Sequence, residues 1–281
     1  MLRLKAYAKI NLSLKILGLR PDKYHELDSV MQSISLCDIV TLTPIDHGIE
    51  VVTTNLRLPT DKKNLAYQAA ELFLRVKGQG SGVKGVKIHI EKNIPLAAGL
   101  AGGSADAAAV LYGLNQLSLP ALRVTNYALL ELGAQIGSDV PFCLTGGNCT
   151  VKGRGEFVTR NPMSVNRTYI VVVPEVEVPT KWAYGAWDAK YEALNTKSET
   201  NSKYQISNSK NDLEAVVIEK YPVIQKVKDK LLSLGCSFAQ MSGSGPSVFG
   251  FPADEKTVAA MKQEFPRSYL ARSVDCGIEE A

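Results

Sequence analysis

Pro95-Leu96-Ala97-Ala98-Gly99-Leu100-Ala101-Gly102-Gly103-Ser104-Ala105-Asp106-Ala107-Ala108-Ala109 is the stretch on which the reading of this chain turns. Val86 to Ile90 alternates like a strand and leads into it through Lys92-Asn93-Ile94. Ala105 to Leu117 leaves it as an alanine-rich run of high helix propensity. Glycines at such a junction let the backbone turn tightly and approach a ligand with no Cβ in the way. The free N–H groups of the helix start then point at that ligand, and the helix dipole favours an anion. The stretch therefore predicts a phosphate cradle. It is not a Walker A loop, since no Gly-Lys-Ser/Thr closes it, and it lacks the G-x-G-x-x-G of a dinucleotide fingerprint.

Outward from this loop, strands and helices mix without strict βαβ alternation. Residues 3–18 alternate as a strand, and Arg20-Pro21-Asp22 marks a turn. Short strands are expected at 38–43 and 49–54, then a helix capped by Asn64 and a surface loop at Gly78–Gly82. A helix is expected over 126–136, a buried strand over 169–173, and helices over 179–191, 212–234 and 254–265, with a strand at 247–251. The polar run 195–210 has no period and reads as a flexible surface insertion. Arg160-Asn161-Pro162 separates two strand–helix groups, so the expected organisation is two α+β domains, 1–160 and 161–281, rather than a doubly wound sheet.

Composition narrows the function classes. The 281 residues are 45% hydrophobic and 21% charged, ordinary for a soluble globular protein. A net charge of +4 is too weak for a nucleic-acid binder but suits an anionic small molecule. Five dispersed cysteines without a C-x-x-C pair point away from disulfides and zinc and towards a reducing cytoplasm. Three unpaired histidines offer no metal-ligand spacing. Charges interrupt the first residues, so no signal peptide is expected. The most apolar stretch, 97–119, is too broken to cross a membrane.

Several side chains bear on chemistry. Asp139, between Ser138 and Val140-Pro141, sits in a constrained turn, where a carboxylate can take a proton from an acceptor hydroxyl or cap a short helix. Lys9 lies mid-strand among apolar neighbours, placed either to stabilise that carboxylate and a transferring phosphoryl group or to form a surface ion pair. Asn11 follows two positions on, either against a polyol or at a strand edge. Tyr24-His25 follows a turn, and an aromatic face there can stack on a nucleobase. Ser104 is positioned to ligate Mg²⁺, to cap the helix, or both. Ser244 and Ser247 belong to a glycine turn that would help hold the substrate, and Asn211 reads as a helix N-cap.

Taken together, these motifs resemble the GHMP kinases, the family of galactokinase, homoserine kinase and mevalonate kinase. The loop matches the pattern P-x-x-x-G-L-x-[GSA]-S-[SA], Ala8-Lys9-Ile10-Asn11-Leu12 resembles the first family motif, and Ser242-Gly243-Ser244-Gly245-Pro246-Ser247 resembles the third. Ala97 and Ala98 depart from relatives that carry glycine there. The resemblance implies a two-domain fold with the active site in the cleft between domains, and ATP with Mg²⁺ on Pro95–Ser104. It implies Asp139 as general base with Lys9 as its electrostatic partner. Tyr24-His25 and Gly137-Ser138-Asp139-Val140-Pro141 single out the branch of the family whose acceptor is a cytidine diphosphate sugar-alcohol, phosphorylated on a hydroxyl. In that branch Tyr24 and His25 would hold the cytosine, helped by the segment from Thr180 to Tyr184, and Asn11 the polyol. The alternatives are a kinase for a smaller alcohol such as homoserine or a mevalonate derivative, and a nucleotide-binding sensor without catalysis. A monomer or weak homodimer is expected.

Overall fold

Two long antiparallel strands, β1 (Leu2–Leu19) and β2 (His25–Ile45), form the spine of the fold. The structure is a computed structural model that describes residues 1–77, 82–162, 166–195 and 210–281. At 21 residues β2 is long enough to serve two partners on the edge away from β1. Its first half pairs with β5 (Asn148–Gly153), and its second half with β4 (Gly85–Glu91). β3 (Gly48–Thr53) lies parallel to β4, β6 (Phe157–Arg160) extends β5, and β11 (Ile278–Glu280) closes the free edge of β1. The result is a seven-stranded sheet.

Helices α1 (Leu65–Lys77), α2 (Gly102–Leu117), α3 (Asn126–Ile136) and α4 (Val140–Thr145) belong with this sheet. α2 is the central one. Ala105, Ala107, Ala108, Ala109, Leu111 and Leu114 are all fully buried, and small alanines let its axis lie close to β1 and β2. A second, four-stranded sheet runs β10–β7–β9–β8, from β7 (Thr168–Val172), β8 (Cys236–Met241), β9 (Val248–Pro252) and β10 (Tyr269–Arg272). α5 (Thr180–Asn195), α6 (Glu214–Lys220), α7 (Val223–Ser233) and α8 (Glu255–Glu264) accompany it.

The two sheets share material. Leu14, Ile16 and Leu27, from the ends of β1 and β2 near their connecting turn, are buried in the second core with Ile170, Trp187 and Val248. Gln240 of β8 donates to the carbonyls of Asn11 and Leu12. The strands up to Arg160 belong to the first sheet and β7 to β10 to the second, while β11 returns to the first.

Several expectations need correcting. The expected strand 38–43 is the tail of β2, which begins at His25. Buried polar residues Ser29, Gln32 and Ser33 hide the alternation of its first half. The expected helix 212–234 is two helices, broken at Tyr221-Pro222, since the residue before a proline is pushed out of the helical region. α2 starts at Gly102, earlier than the alanine run suggests, because glycine hides a helix start. Strands β5, β6, β8, β10 and β11 and helix α4 are too short to show a period. Asn64 does cap α1, its Oδ1 accepting from the Ala66 amide at 2.8 Å. The segments 78–81 and 196–209 lie outside the described residues, and with them most of the expected loop and of the expected insertion.

Candidate active site

One large cleft, about 1080 Å³, holds nearly every side chain singled out from the sequence. That is roomier than the ~300–1,000 Å³ usual for a single small ligand and suits two. Its lining runs from Pro95–Ser104 at one end, through Lys9, Asn11 and Asp139, to Tyr24, His25, Thr180 and Tyr184 at the other.

At the first end the loop is held by backbone contacts on both sides. Lys9 N–H donates to Leu100 O at 3.1 Å, and Ser247 N–H to Ala98 O at 3.3 Å. The turn Ser242–Gly245 presses directly on Gly99, where an added Cβ would lie 2.6 Å from Ser242 O. Gly99 also has φ +74°, so both space and conformation call for glycine. Ala97 (φ 52°) and Ala101 (φ 58°) are left-handed as well. Of the two alanines that depart from glycine, Ala97 is thus not a harmless replacement, while Ala98 has no positive φ. Ala97 and Ala101 each carry the cost of about 1–2 kcal/mol that a Cβ incurs in this region, and strain of this kind concentrates where a backbone is shaped for a ligand. Ala101 is the N-cap of α2 and makes no side-chain cap. The amides of Gly102, Gly103 and Ser104 therefore have no carbonyl within the helix to bond. Ser104 lies inside the first turn, which removes the expected capping role and leaves its hydroxyl at the cleft.

Behind the loop lies a charged cluster that the sequence did not reveal. The Lys92 ammonium bonds both Asp38 and Asp106, and all three side chains are at most 1% exposed. Asp38 Oδ1 also accepts from the amides of Asn93 and Ile94, at 2.6 and 2.8 Å. Burial alone would push Lys92 down, but Asp106 and Asp38 together hold it above the ordinary lysine range. Burial raises Asp106 well above the usual carboxylate range.

In the middle of the cleft, Lys9 Nζ stands 3.5 Å from Asp139 Oδ2. The lysine side chain is 5% exposed and the carboxylate 32%, so the cation is sheltered while the carboxylate faces the cleft. Asp139 is the N-cap residue of α4 by position, yet its side chain makes no cap, which excludes the simple capping reading. Lys9 also donates to Asn11 Oδ1 at 2.6 Å. Asn11 Nδ2 in turn bonds Ser29 Oγ at 2.9 Å, and the Asn11 amide bonds Ser242 Oγ at 3.2 Å. Asn11 is 1% exposed, so it orients the lysine at least as much as it faces a ligand.

At the other end, the rings of His25 and Tyr184 stack with centroids 4.8 Å apart. His25 Nε2 lies 2.7 Å from Asp188 Oδ1, a residue on α5 that sequence reasoning missed. Burial pushes the Tyr184 phenol up, and the nearby negative charge of Asp139 adds to this. Tyr24 stands apart from the stack, half exposed, with the Arg154 guanidinium 4.9 Å from its ring centroid. Thr180 Oγ1 is 3.0 Å from Ser244 Oγ, tying the start of α5 to the glycine turn. Ser247 is fully buried and does not reach the cleft. Asn211 does more than cap. Its Oδ1 accepts from Leu213 N–H, while its amide group donates to the carbonyls of Met241 and Gly243 and so shapes the turn beneath Lys9.

The chain is similar to known proteins. Family models described as GHMP kinases N terminal domain and GHMP kinases C terminal match residues 64–147 and 197–271. The 4-diphosphocytidyl-2-C-methyl-D-erythritol kinase of Clostridium tetani is 41% identical, over 97% of this chain and 100% of its own length. The chain belongs to the GHMP kinases. Among solved structures, a 4-(cytidine 5'-diphospho)-2C-methyl-D-erythritol kinase superposes on this GHMP kinase with a TM-score of 0.75 and 31% identity, over 96% of this chain and 98% of that one. A homoserine kinase from Cytophaga hutchinsonii gives 0.71 at 23% identity, over 100% and 97%, which speaks for the fold alone. Among the described residues of this GHMP kinase, no three His, Cys, Asp or Glu side chains are grouped to hold a metal, and no helix is long and apolar enough to cross a membrane.

Proposed function

We propose that this GHMP kinase transfers the γ-phosphoryl group of ATP to the 2-hydroxyl of 4-diphosphocytidyl-2-C-methyl-D-erythritol, a step towards isoprenoid precursors outside the mevalonate route. The observation that carries the chemistry is the Lys9–Asp139 pair, 3.5 Å apart in a cleft also lined by the glycine loop and by Tyr24, His25 and Tyr184. The full-length likeness to kinases named for this acceptor carries the substrate.

ATP lies with its phosphates on Pro95–Ser104, where the amides of Gly102, Gly103 and Ser104 face its negative charge. Asp139 takes the proton of the acceptor hydroxyl, and the oxygen attacks the γ-phosphorus in line as ADP leaves. Lys9 orients Asp139, and its charge favours the phosphoryl oxygens as negative charge shifts among them. Asn11 fixes the lysine. Mg²⁺, when bound, neutralises phosphate charge. The donor set fits it, because Mg²⁺ is usually held by substrate phosphates, waters and one or two protein oxygens rather than by an all-protein cage, and the Ser104 hydroxyl is the oxygen available. Tyr24, His25 and Tyr184 hold the cytosine, and Thr180 closes that end. Five free thiols suit a reducing cytoplasm, where the enzyme acts as a monomer or weak homodimer.

ADP release should be measured with the diphosphocytidyl acceptor, homoserine, mevalonate and galactose side by side. Turnover with the first alone is expected. Comparable or faster turnover with homoserine or mevalonate would replace this reading with that of a small-alcohol kinase.

A further inference from the structure

We propose that Arg154 is a binding residue for the diphosphate of the acceptor. The inference rests on the diphosphocytidyl reading above. A diphosphate linking a cytosine to a sugar alcohol must pass between the place where the base is held and the place where the hydroxyl reacts. Arg154 occupies that interval. It sits in the β5–β6 turn, and its neighbour Gly155 is packed so tightly on the segment before Asp139 that an added Cβ would lie 2.5 Å from Ser138 O. The turn is thereby fixed beside the general base. From there the side chain reaches the other way, and its guanidinium lies over the Tyr24 ring at 4.9 Å.

The guanidinium is anchored without being consumed. Nη2 donates to Ala134 O at 2.9 Å, and Cζ stands over the Tyr24 ring. A cation–π contact takes none of the five N–H donors, and one bond to a carbonyl leaves most of the fork that matches phosphate oxygens. Among the described residues no carboxylate forms an ion pair with Arg154. The acidic groups near it are otherwise engaged: Asp139 with Lys9, Asp188 with His25, and Glu156 with Arg20 and the Arg154 backbone amide. A half-buried cation that lines a ligand cleft and has no countercharge calls for an anionic ligand. The neighbouring Lys23, which also lines the cleft, adds charge of the same sign.

Two different roles for Arg154 make different predictions. As a mere prop for Tyr24, it would matter equally for every cytidine compound. As a diphosphate ligand, it matters in proportion to the phosphates present. Binding of cytidine, CMP and CDP should be measured by calorimetry for the unmodified protein, Arg154→Gln and Arg154→Lys, with ATP affinity and the circular dichroism spectrum as controls for folding. In the unmodified protein affinity is expected to rise from cytidine to CMP to CDP. In Arg154→Gln cytidine should bind about as before, while CDP loses about tenfold or more, the size of a charge-assisted hydrogen bond. Arg154→Lys should recover part of that loss, since it keeps the charge and gives up the fork. Equal losses for cytidine and CDP in both variants, or no loss for either, would overturn the inference alone. Failure of the unmodified protein to bind any of the three would overturn the acceptor reading and this inference with it.

Discussion

The phosphate-loop end of the cleft is fixed from behind by Asp38, Lys92 and Asp106, a buried charged cluster that touches the strand before the loop and the helix after it. The acceptor end has no such anchor. Tyr24 is 50% exposed, and its ring is steadied by Arg154 from a separate turn. Backbone and buried charge shape the first site, whereas aromatic side chains, from the sheltered His25 to the half-exposed Tyr24, shape the second. The difference fits the ligands proposed for the two ends. A triphosphate is read by amides that must already be in place, and strain at Ala97 and Ala101 is tolerable only in a loop held rigidly. A base is read by the faces of rings, which can settle on arrival.

Five substitutions test how far the two ends are independent. Asp139→Asn, at their junction, should leave both ligands bound and reduce turnover by about 10²–10⁴-fold, the span for one acid–base group. Near-normal turnover in a single-turnover assay would remove Asp139 from the chemistry. Lys92→Met strikes the loop from behind and takes the cation from two buried carboxyl groups. A loss of about 3–5 kcal/mol in urea unfolding is expected, the usual result of breaking a buried ion pair. Asp106→Asn should cost far less, because burial already holds that carboxyl towards its protonated form. Equal costs for the two would mean that Lys92 serves Asp38 and Asp106 alike.

The loop can also be struck from in front. An added Cβ at Gly103 meets nothing closer than Leu65 Cδ1 at 3.6 Å, so Gly103→Val should fold normally. Its side chain would nonetheless stand at the amides that face the phosphates, and ATP should bind about tenfold to a hundredfold more weakly, ~1.4–2.7 kcal/mol. Cytidine binding should be untouched. Unchanged ATP affinity in a folded variant would show that the phosphates lie elsewhere. The smallest effect is expected at the exposed end. Tyr24→Ala should weaken acceptor binding by about 1 kcal/mol, the lower end for base–aromatic stacking, and leave ATP binding alone. A parallel loss of ATP affinity would show that the two ends communicate.

Legibility in the sequence tracks the same division. The loop was readable because strand, glycines and helix are contiguous, and Asp139 because a short motif carries it. Lys9 and Asn11 were readable because a strand places alternate residues on one face. Asp38, Lys92 and Asp106 were not, since an ion cluster assembled from β2, the end of β4 and α2 has no local signature. Arg154 and Asp188 are likewise single charges in unremarkable surroundings. Tyr184 is ambiguous in the sequence, because helix aromatics usually belong to a core, and the structure has it both packed against the second core and stacked on His25 at the cleft. The fold class followed from mixed periods. The doubled role of β2 was hidden by the polar residues that line it.

The pairing of β11 with β1 has a bearing on how the protein is made. Leu4 faces Glu280 and Ala6 faces Ile278, so the strand that presents Lys9 acquires its second neighbour only from the far end of the chain. On the ribosome, every residue of the phosphate loop, the base and the aromatic platform emerges before that neighbour does. The nascent chain must therefore wait with one edge of its catalytic strand open, and contacts of such sequence separation are slow to form. Until then the open edge can pair with another chain. A growing polypeptide stalled short of Ile278 would carry all the side chains proposed for catalysis and still lack the strand that covers β1 at Leu4–Ala6, just before Lys9.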